Sequence, residues 1–356
     1  MQFGGAGDGV FVRRALIVVA IAGITLLLWY LVDILLLFFG AVLLAVLLRG
    51  AVVPLSARTG MGDNWALLLT TLVLTSLLAL AVFLFGSEVR AEVVKLVETL
   101  PQAWELFMER TLSGDLSEAI MSQAEDAMPA MGDMIGGVFV GAMSVFGGLG
   151  STVLMIVGGL YLAAQPDVYR RGFFILFPDD GKRTQAVETI DAMSEALRLW
   201  LVGQLLIMAF VFVATLTGLW LIGLPAALAL AVFAGLAQFV PILGPIVAAV
   251  PALLVALNEG WEMVLWVLGL YVVLQQVESN LLTPLVQRHT VQLPPVIPLF
   301  AVVVFGLLFG FMGVLFATPL AILAYVAIKK LWVRDTLGDA TRLPGEPNSA
   351  DEAAAD

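Results

Sequence analysis

The stretch Pro241-Ile242-Leu243-Gly244-Pro245 interrupts an apolar segment that runs from residue 226 to residue 257. Proline has no backbone N–H and fixes φ, so a continuous helix cannot pass through two prolines with a glycine between them. As helices, the arms 226–240 and 246–257 would be about 22 and 18 Å long, whereas the hydrocarbon core of a bilayer is about 30 Å thick. Neither arm is long enough to cross, so the segment predicts a helical hairpin.

Composition places this segment in a membrane protein. The chain has 356 residues, of which 61% are hydrophobic and only 13% charged, whereas a soluble domain carries about 25% charged residues. Blocks of seventeen or more apolar residues are long enough to cross a bilayer. The apolar segments fall at about 15–31, 34–54, 65–87, 136–165, 199–222, 226–257, 261–286 and 293–328.

Lysine and arginine in the loops predict the orientation, because these residues accumulate on the cytoplasmic side. Arg13 and Arg14 place the N-terminus inside, and the loop with Arg170 and Lys182 is again inside after four spans. The acidic segment 88–133 then lies outside, where its apolar residues at helical spacing predict an amphipathic helix. The remaining basic residues place the C-terminus in the cytoplasm.

The same rule predicts a second hairpin at 293–328. This segment begins after Arg288 and ends before Lys329, both expected inside, and it breaks at the glycine-rich stretch 306–313. It would therefore dip into the membrane from the cytoplasmic side, whereas 226–257 would dip from the outside. Two kinked helix pairs without a transport role remain the simpler alternative.

The two predicted hairpins resemble each other. Leu224-Pro225 and Leu293-Pro294 open the two segments 69 residues apart, and Gly244 and Gly313 have the same separation. Similar segments inserted from opposite sides form an inverted repeat. Many secondary transporters use such a repeat to build a site near the midplane of the membrane.

Polar side chains in the apolar segments indicate where a site would lie. Glu278 falls within the span 261–286, and an intramembrane carboxylate by default indicates an ion or substrate pathway. A protonated structural glutamate and a proton carrier are both open alternatives. Amides such as those of Gln204 and Gln238 can bind a hydroxylated ligand or a cation. The predicted pathway residues are Gln204, Gln238, Pro241, Gly244, Pro245, Gln275, Gln276, Glu278, Asn280, Thr283, Pro284, Gly310 and Gly313.

Several other classes of function are excluded. The chain has no cysteine and a single histidine, His289, so no thiolate or histidine metal site can be built and no cofactor is expected. No nucleophile or acid–base constellation stands out, so an enzyme is not expected. The net charge of −11 lies in the acidic stretches 88–133 and 335–356, and no basic patch indicates a nucleic acid partner.

The predicted fold is all-α and polytopic, with about six full spans, two opposed re-entrant hairpins and an extracytoplasmic amphipathic helical segment. Its predicted parts are a cytoplasmic N-terminus (1–14), transmembrane helices 1–3 (15–87), an acidic external segment (88–135), a fourth span (136–165), a cytoplasmic helical loop (166–197), a transport core (198–334) and a disordered acidic cytoplasmic tail (335–356).

Several motifs resemble the autoinducer-2 exporter family of bacterial membrane proteins. They are Gly203-Gln204-Leu205-Leu206, the run from Gly218 to Pro225, Pro241–Pro245, the run from Gln275 to Pro284, and Phe309–Gly313 continuing to Pro319. The resemblance is specific over 198–328 and extends to the span layout over 10–197. Members of the family often carry an acid at the first hairpin tip, where this chain has Gln238.

The resemblance implies an inner-membrane transporter that forms a homo-oligomer and works without ATP hydrolysis. Its expected substrate is a small polar metabolite or signal such as autoinducer-2. A sodium (lithium)/proton antiporter is the second interpretation, because some members are assigned that activity. A non-transporting membrane scaffold that acts through its external helix is the third.

Overall fold

A computed structural model of the chain describes residues 7–77, the positions 79–80, 83, 85–87 and 90–92, and residues 149–344 except 178, 283, 286–292 and 340. The predicted external helix from residue 93 onward, residues 136–148 of the fourth span and the tail from residue 345 lie outside the described part. Within that part the structure is helical and has no strands. The prediction of an all-α protein is therefore confirmed.

The helices follow one another with short connections. They are α1 (Gly7–Tyr30), α2 (Val32–Thr59), α3 (Asp63–Leu77), α4 (Leu149–Ala164), α5 (Pro166–Phe174), α6 (Asp180–Ile222), α7 (Ala227–Ala237), α8 (Leu243–Glu259), α9 (Trp261–Val277) and α10 (Val296–Ala327). A π-helical turn extends α9 over Glu278–Leu282, and another extends α10 over Ile328–Arg334.

Four helical stretches of the described chain are long and apolar enough to cross a membrane. They are Val32–Thr59, Asp180–Ile222, Trp261–Leu282 and Val296–Arg334. The number rises to five if α4 and α5, which are bent by 83° at their junction, count as one broken span. These spans confirm that the chain is a membrane protein with several transmembrane helices.

Glycine lets α4 pack closely on α2. A Cβ atom on Gly159 would lie 2.8 Å from Leu44 Cδ2 and 3.0 Å from the carbonyl oxygen of Ala41. Small residues in this glycine-rich span allow the helix backbones to approach each other. Around the contact, α2, α3 and α4 share a core of Ala45, Leu48, Val52, Ala66, Leu67 and Ala163.

The chain reverses direction between α7 and α8. Ile242 has φ 73° and ψ −52°, and the Leu243 N–H donates to the Pro241 carbonyl oxygen at 2.9 Å, which closes a γ-turn that costs backbone strain. Ala234 of α7 packs in the same cluster as Ala248 of α8, and farther from the turn Leu230 packs with Ala252 and Val255. Contacts between residues that lie at increasing distances on either side of the turn identify an antiparallel helical hairpin.

The chain also doubles back within α10. Gly310 has φ 60° and ψ −143°, a conformation outside the helical region that a side chain would rarely allow. A Cβ atom on Gly313 would overlap the carbonyl oxygen of Phe305, although residues eight apart in a straight helix are separated by about 12 Å. Val296 and Ile328, at opposite ends of the segment, line one groove. Both predicted breaks are therefore reversals of the chain.

The two reversals pack against one hydrophobic cluster. It is formed by α2, α6 and α10 and contains Leu36, Leu43, Ala196, Leu197, Trp200, Leu201, Phe316, Ile322 and Val326. Phe239, beside the first reversal, lies with its ring centroid 5.7 Å from that of Trp200 in an edge-on arrangement. Phe309 and Met312, on either side of Gly310, pack against the same cluster. The tips of both hairpins therefore pack against the same hydrophobic cluster.

A carboxylate holds the N-terminal end of α7. Glu92 Oε2 accepts a hydrogen bond of 2.8 Å from the Ala229 N–H, one of the amides that a helix leaves without an internal partner at its start. A negative charge at this end also interacts favourably with the positive end of the helix dipole. This bond connects the segment that follows α3 to the first hairpin.

Helix α6 passes through the predicted boundary at residue 198 without a break. It has 43 residues, which makes it about 64 Å long and much longer than a bilayer core. Near its start, Glu188 lies 2.8 Å from the buried Lys330 Nζ, which also contacts Asp335 at 2.7 Å. The hydrogen bond from Lys330 holds the pKa of the Asp335 carboxyl below its usual range. One rigid helix therefore connects this ionic cluster to the hairpin tips.

The second reversal predicts a difference between two glycine substitutions. Gly313→Ala should lower the melting temperature of the purified protein, because overpacking a tight site costs about 1–3 kcal/mol. Gly269→Ala is the matched control, since a Cβ there would meet nothing within 4 Å on helix α9. The control should melt at the wild-type temperature or slightly above it. Equal melting of the two variants would contradict the fold-back at Gly310.

Candidate functional site

A chain of hydrogen bonds holds the first hairpin tip between two long helices. Gln204 on α6 donates through Nε2 to the main-chain oxygen of Gln238 at 2.5 Å. The Gln238 side chain in turn donates through its Nε2 to Glu278 Oε1, at the end of α9. Gln204 is 5% exposed and Gln238 1% exposed. Three residues predicted separately from the sequence thus form one buried polar link, here called the tip link.

The local structure explains why Gln238 receives the bond from Gln204. Helix α7 ends at Ala237, and the γ-turn follows within five residues. The last carbonyl groups of a helix have no amide partner farther along the chain, so another group must satisfy them when they are buried. The amide of Gln204 does this for Gln238. The Gln238 side chain is then free to reach across to α9.

Glu278 lies where α9 changes from α-helix to π-helix. Such a turn widens the helix by one residue, and π-helical turns are frequent at functional sites. Glu278 is half-buried, and Gln238 is its hydrogen-bond partner. No ion pair in the described part of the chain involves this carboxyl group. An ionisable residue on a candidate membrane span is costly, which makes Glu278 a candidate functional residue.

A small cavity lies next to the tip link, between α6, α7, α8 and α9. Its volume is about 20 Å³, which is room for about one water molecule. Its lining residues with polar side chains are Thr215, Gln238, Tyr271, Gln275 and Glu278. Its apolar lining residues are Val211, Ala234, Pro245, Ala248 and Leu274.

Two of the polar lining residues, Thr215 and Tyr271, are absent from the prediction. Thr215 follows Gln204 by eleven residues and Tyr271 precedes Glu278 by seven, so each shares a helix face with a predicted residue. The spacing was therefore a usable signal. The Tyr271 hydroxyl donates to the main-chain oxygen of Ala248 at 3.2 Å, which ties α9 to α8.

The structure does not bring all predicted residues to the cavity. Gln276 and Asn280 are exposed on another face of α9, where Asn280 Nδ2 donates to Gln276 Oε1 at 3.0 Å. Pro241 and Gly244 form the first reversal, and Gly310 and Gly313 form the second. Pro284 is exposed, and Thr283 lies outside the described residues. Only Gln238, Pro245, Gln275 and Glu278 of the predicted set line the cavity, and Gln204 lies behind Gln238.

The part of the chain that the structure describes contains no candidate metal site. No group of three or more histidine, cysteine, aspartate or glutamate residues lies close enough together there to hold a metal ion. The donors at the tip link are two neutral amides and one carboxyl group. This set suits hydrogen bonding to a neutral polar molecule or the binding of one monovalent charge.

Comparison with known proteins identifies the relatives of the chain. It is 28% identical over 159 residues to "Putative transport protein YrrI" of Bacillus subtilis, over 45% of each chain. It is 29% identical over 151 residues to "Putative transport protein YueF" of the same organism, over 42% of this chain and 40% of that one. The match to "Putative permease PerM" of Escherichia coli is 27% identical over 346 residues, 88% of this chain and 92% of the relative.

The matched lengths differ among these relatives. The chain spans less than half the length of the two Bacillus proteins and nearly the whole length of PerM. A family described as "AI-2E family transporter" matches residues 16–332, which include every helix of the candidate site. The chain therefore belongs to the AI-2E transporter family.

Proposed function

We propose that the protein is a secondary transporter that exports a small polar metabolite or signal, such as autoinducer-2, across the inner membrane. Its family supports the general class of transport. The observation that carries the proposal further is the tip link, in which a hairpin tip is held by polar side chains from two membrane-spanning helices. Polar and ionisable groups are costly within a membrane, and those on spans commonly mark substrate or ion pathways.

The proposed topology has six full spans, two opposed re-entrant hairpins and both termini in the cytoplasm. The reversal at Ile242 supports it, because α7 and α8 have 11 and 17 residues and would reach about 16 and 26 Å. Both lengths fall short of the bilayer core of about 30 Å. Arg288 and Lys329 flank the second hairpin and support its entry from the cytoplasmic side, because basic residues accumulate there.

In the proposed mechanism the substrate competes for the hydrogen bond between Gln238 and Glu278. A buried donor or acceptor that loses its partner costs about 1–3 kcal/mol, so a hydroxylated ligand that replaces the partner makes separation of the tip from α9 less costly. The cavity beside the bond has a volume of about 20 Å³, too small for a metabolite. The structure therefore fits a closed state, from which the core 198–328 moves to admit the substrate.

Self-association is part of the proposal. Gln276 and Asn280 are exposed on α9, a candidate membrane span, although polar side chains facing lipid are unfavourable. Contact with a second copy of the chain, or with a water-filled pathway, would remove this cost. Of these two, we propose contact with a second copy, so that the protein is a homo-oligomer.

A sodium (lithium)/proton antiporter is the second candidate function. Glu278 favours it, because one carboxyl group can exchange a proton for a monovalent cation. The composition of the site opposes it, because Glu278 contacts the neutral amide of Gln238 at the hairpin tip and not a second carboxyl group. A scaffold is a third candidate, and the external helical segment on which it would depend lies outside the described residues.

Substitution of Glu278 tests its role in transport. In proteoliposomes loaded with autoinducer-2, Glu278→Gln should reduce the efflux of autoinducer-2 about tenfold or more. The reason is that the substrate loses a charge-assisted hydrogen bond to Glu278, and such a bond contributes about 1.5–3 kcal/mol. Glu262→Gln is the control, since Glu262 is exposed in the first turn of the same helix. Efflux and pH dependence identical to the wild type in the Glu278 variant would exclude a role for this carboxyl group.

Cation addition separates metabolite export from antiport. The same vesicles, loaded with a pH-sensitive dye instead, should show no rise in internal pH when sodium or lithium chloride is added outside, because a metabolite exporter does not exchange protons for cations. Protein-free vesicles provide the baseline. An internal alkalinisation that requires the protein and disappears in Glu278→Gln would establish the antiporter in place of the exporter.

A further inference from the structure

One buried hydroxyl group in the cavity has no partner. The Thr215 side chain is 0% exposed, and its Oγ1 makes no hydrogen bond within the described residues. Threonine in a helix commonly donates to the carbonyl oxygen four residues earlier, as Thr217 does to Val213 at 2.8 Å. Thr215 lacks this bond. A buried polar group without a partner is rare and needs an explanation, such as an ordered water.

The surroundings of Thr215 meet the requirements of a water site. The cavity it lines has a volume of about 20 Å³, and a buried water needs about 10–15 Å³ and two to four polar partners. Glu278 lines the same cavity and uses only Oε1 for Gln238, which leaves Oε2 for another bond. Gln275 and Tyr271 add further polar atoms to the wall.

We propose that the cavity is a binding site for one water molecule, which bridges the Thr215 hydroxyl group and the Glu278 carboxyl group. Thr215 is thereby a positioning residue that acts on Glu278 through the water. The water can donate to an ionised carboxylate and accept from a protonated one, so Glu278 keeps a second partner in either form. The significance for transport rests on the function proposed above, whereas the water site does not.

Among the described residues that line the cavity, none places a competing charge opposite Glu278. Among its lining residues, α6 contributes Val211 and Thr215, and the first hairpin contributes Ala234, Gln238, Pro245 and Ala248. On α9 itself, Tyr271 is the other titratable residue of the lining, and its hydroxyl group already donates to Ala248. Among the described lining residues, Thr215 is the one with a buried polar side-chain atom that lacks a hydrogen-bond partner, so its hydroxyl group is the group we connect with Glu278.

Removal of the hydroxyl group distinguishes an occupied cavity from a dry one. Valine has nearly the shape of threonine, so Thr215→Val deletes the hydrogen-bonding group without leaving a large hole. If the cavity is dry, the variant loses an unsatisfied hydroxyl group and should melt at a higher temperature. If the water is present, the variant should melt at a lower temperature, because the water and Glu278 lose a partner. We expect the lower melting temperature, with Thr215→Ser close to the wild type.

A double-mutant cycle tests the connection to Glu278. The changes in melting temperature for Thr215→Val and Glu278→Gln should fail to add in the double variant, although no direct bond joins the two side chains. Thr217→Val combined with Glu278→Gln is the control cycle and should be additive, since the Thr217 hydroxyl group bonds to its own helix. Additive changes in the first cycle, or a stabilising Thr215→Val, would overturn the water bridge. Both readouts use protein without substrate, so they stand or fall independently of export.

Discussion

A backbone that turns inside hydrocarbon must have its polar groups satisfied by the protein itself. In the proposed topology this constraint applies to the first hairpin, where a γ-turn with a positive φ at Ile242 leaves carbonyl groups without helical partners. Gln204 satisfies the main chain of Gln238, and the side chain of Gln238 then binds Glu278. Without these bonds, the tip would have to face water or unfold. The tip link therefore stabilises the hairpin, in addition to its part in the proposed function.

The sequence was sufficient to place the chain reversals. Two prolines around Gly244 exclude a regular helix and the glycines around Gly310 weaken one, and both reversals occur there. Gln204, Gln238 and Glu278 were each predicted because an amide or a carboxyl group is unusual on an apolar span. Their direct contact was not predictable, because it depends on how α6 and α9 pack against the hairpin. Packing between helices that are far apart in the chain leaves no signal in the local sequence.

The polar residues of α9 also show that the sequence alone does not predict which helix face lines the cavity. A regular helix with 100° per residue groups Gln276 with Asn280 and separates both from Glu278, and the sequence predicted that all three line one site. In the structure Glu278 faces the cavity, and the other two bond to each other on the exposed side. Packing of α9 on α6 and the hairpin selected one face for the cavity. Thr215, by contrast, could have been found from its spacing to Gln204.

In the proposed mechanism the core 198–328 moves relative to the N-terminal helices. A distance measurement tests this motion most directly. The chain contains no cysteine, so Leu35→Cys on α2 and Ile246→Cys on α8, both exposed positions, can carry a pair of spin labels. Pulsed electron paramagnetic resonance in lipid vesicles should give two distances whose proportions change when autoinducer-2 is added. A reference pair within the core, Ile246→Cys with Trp266→Cys, should keep its distance. A single unchanged distance between Leu35 and Ile246 under both conditions would contradict a moving core.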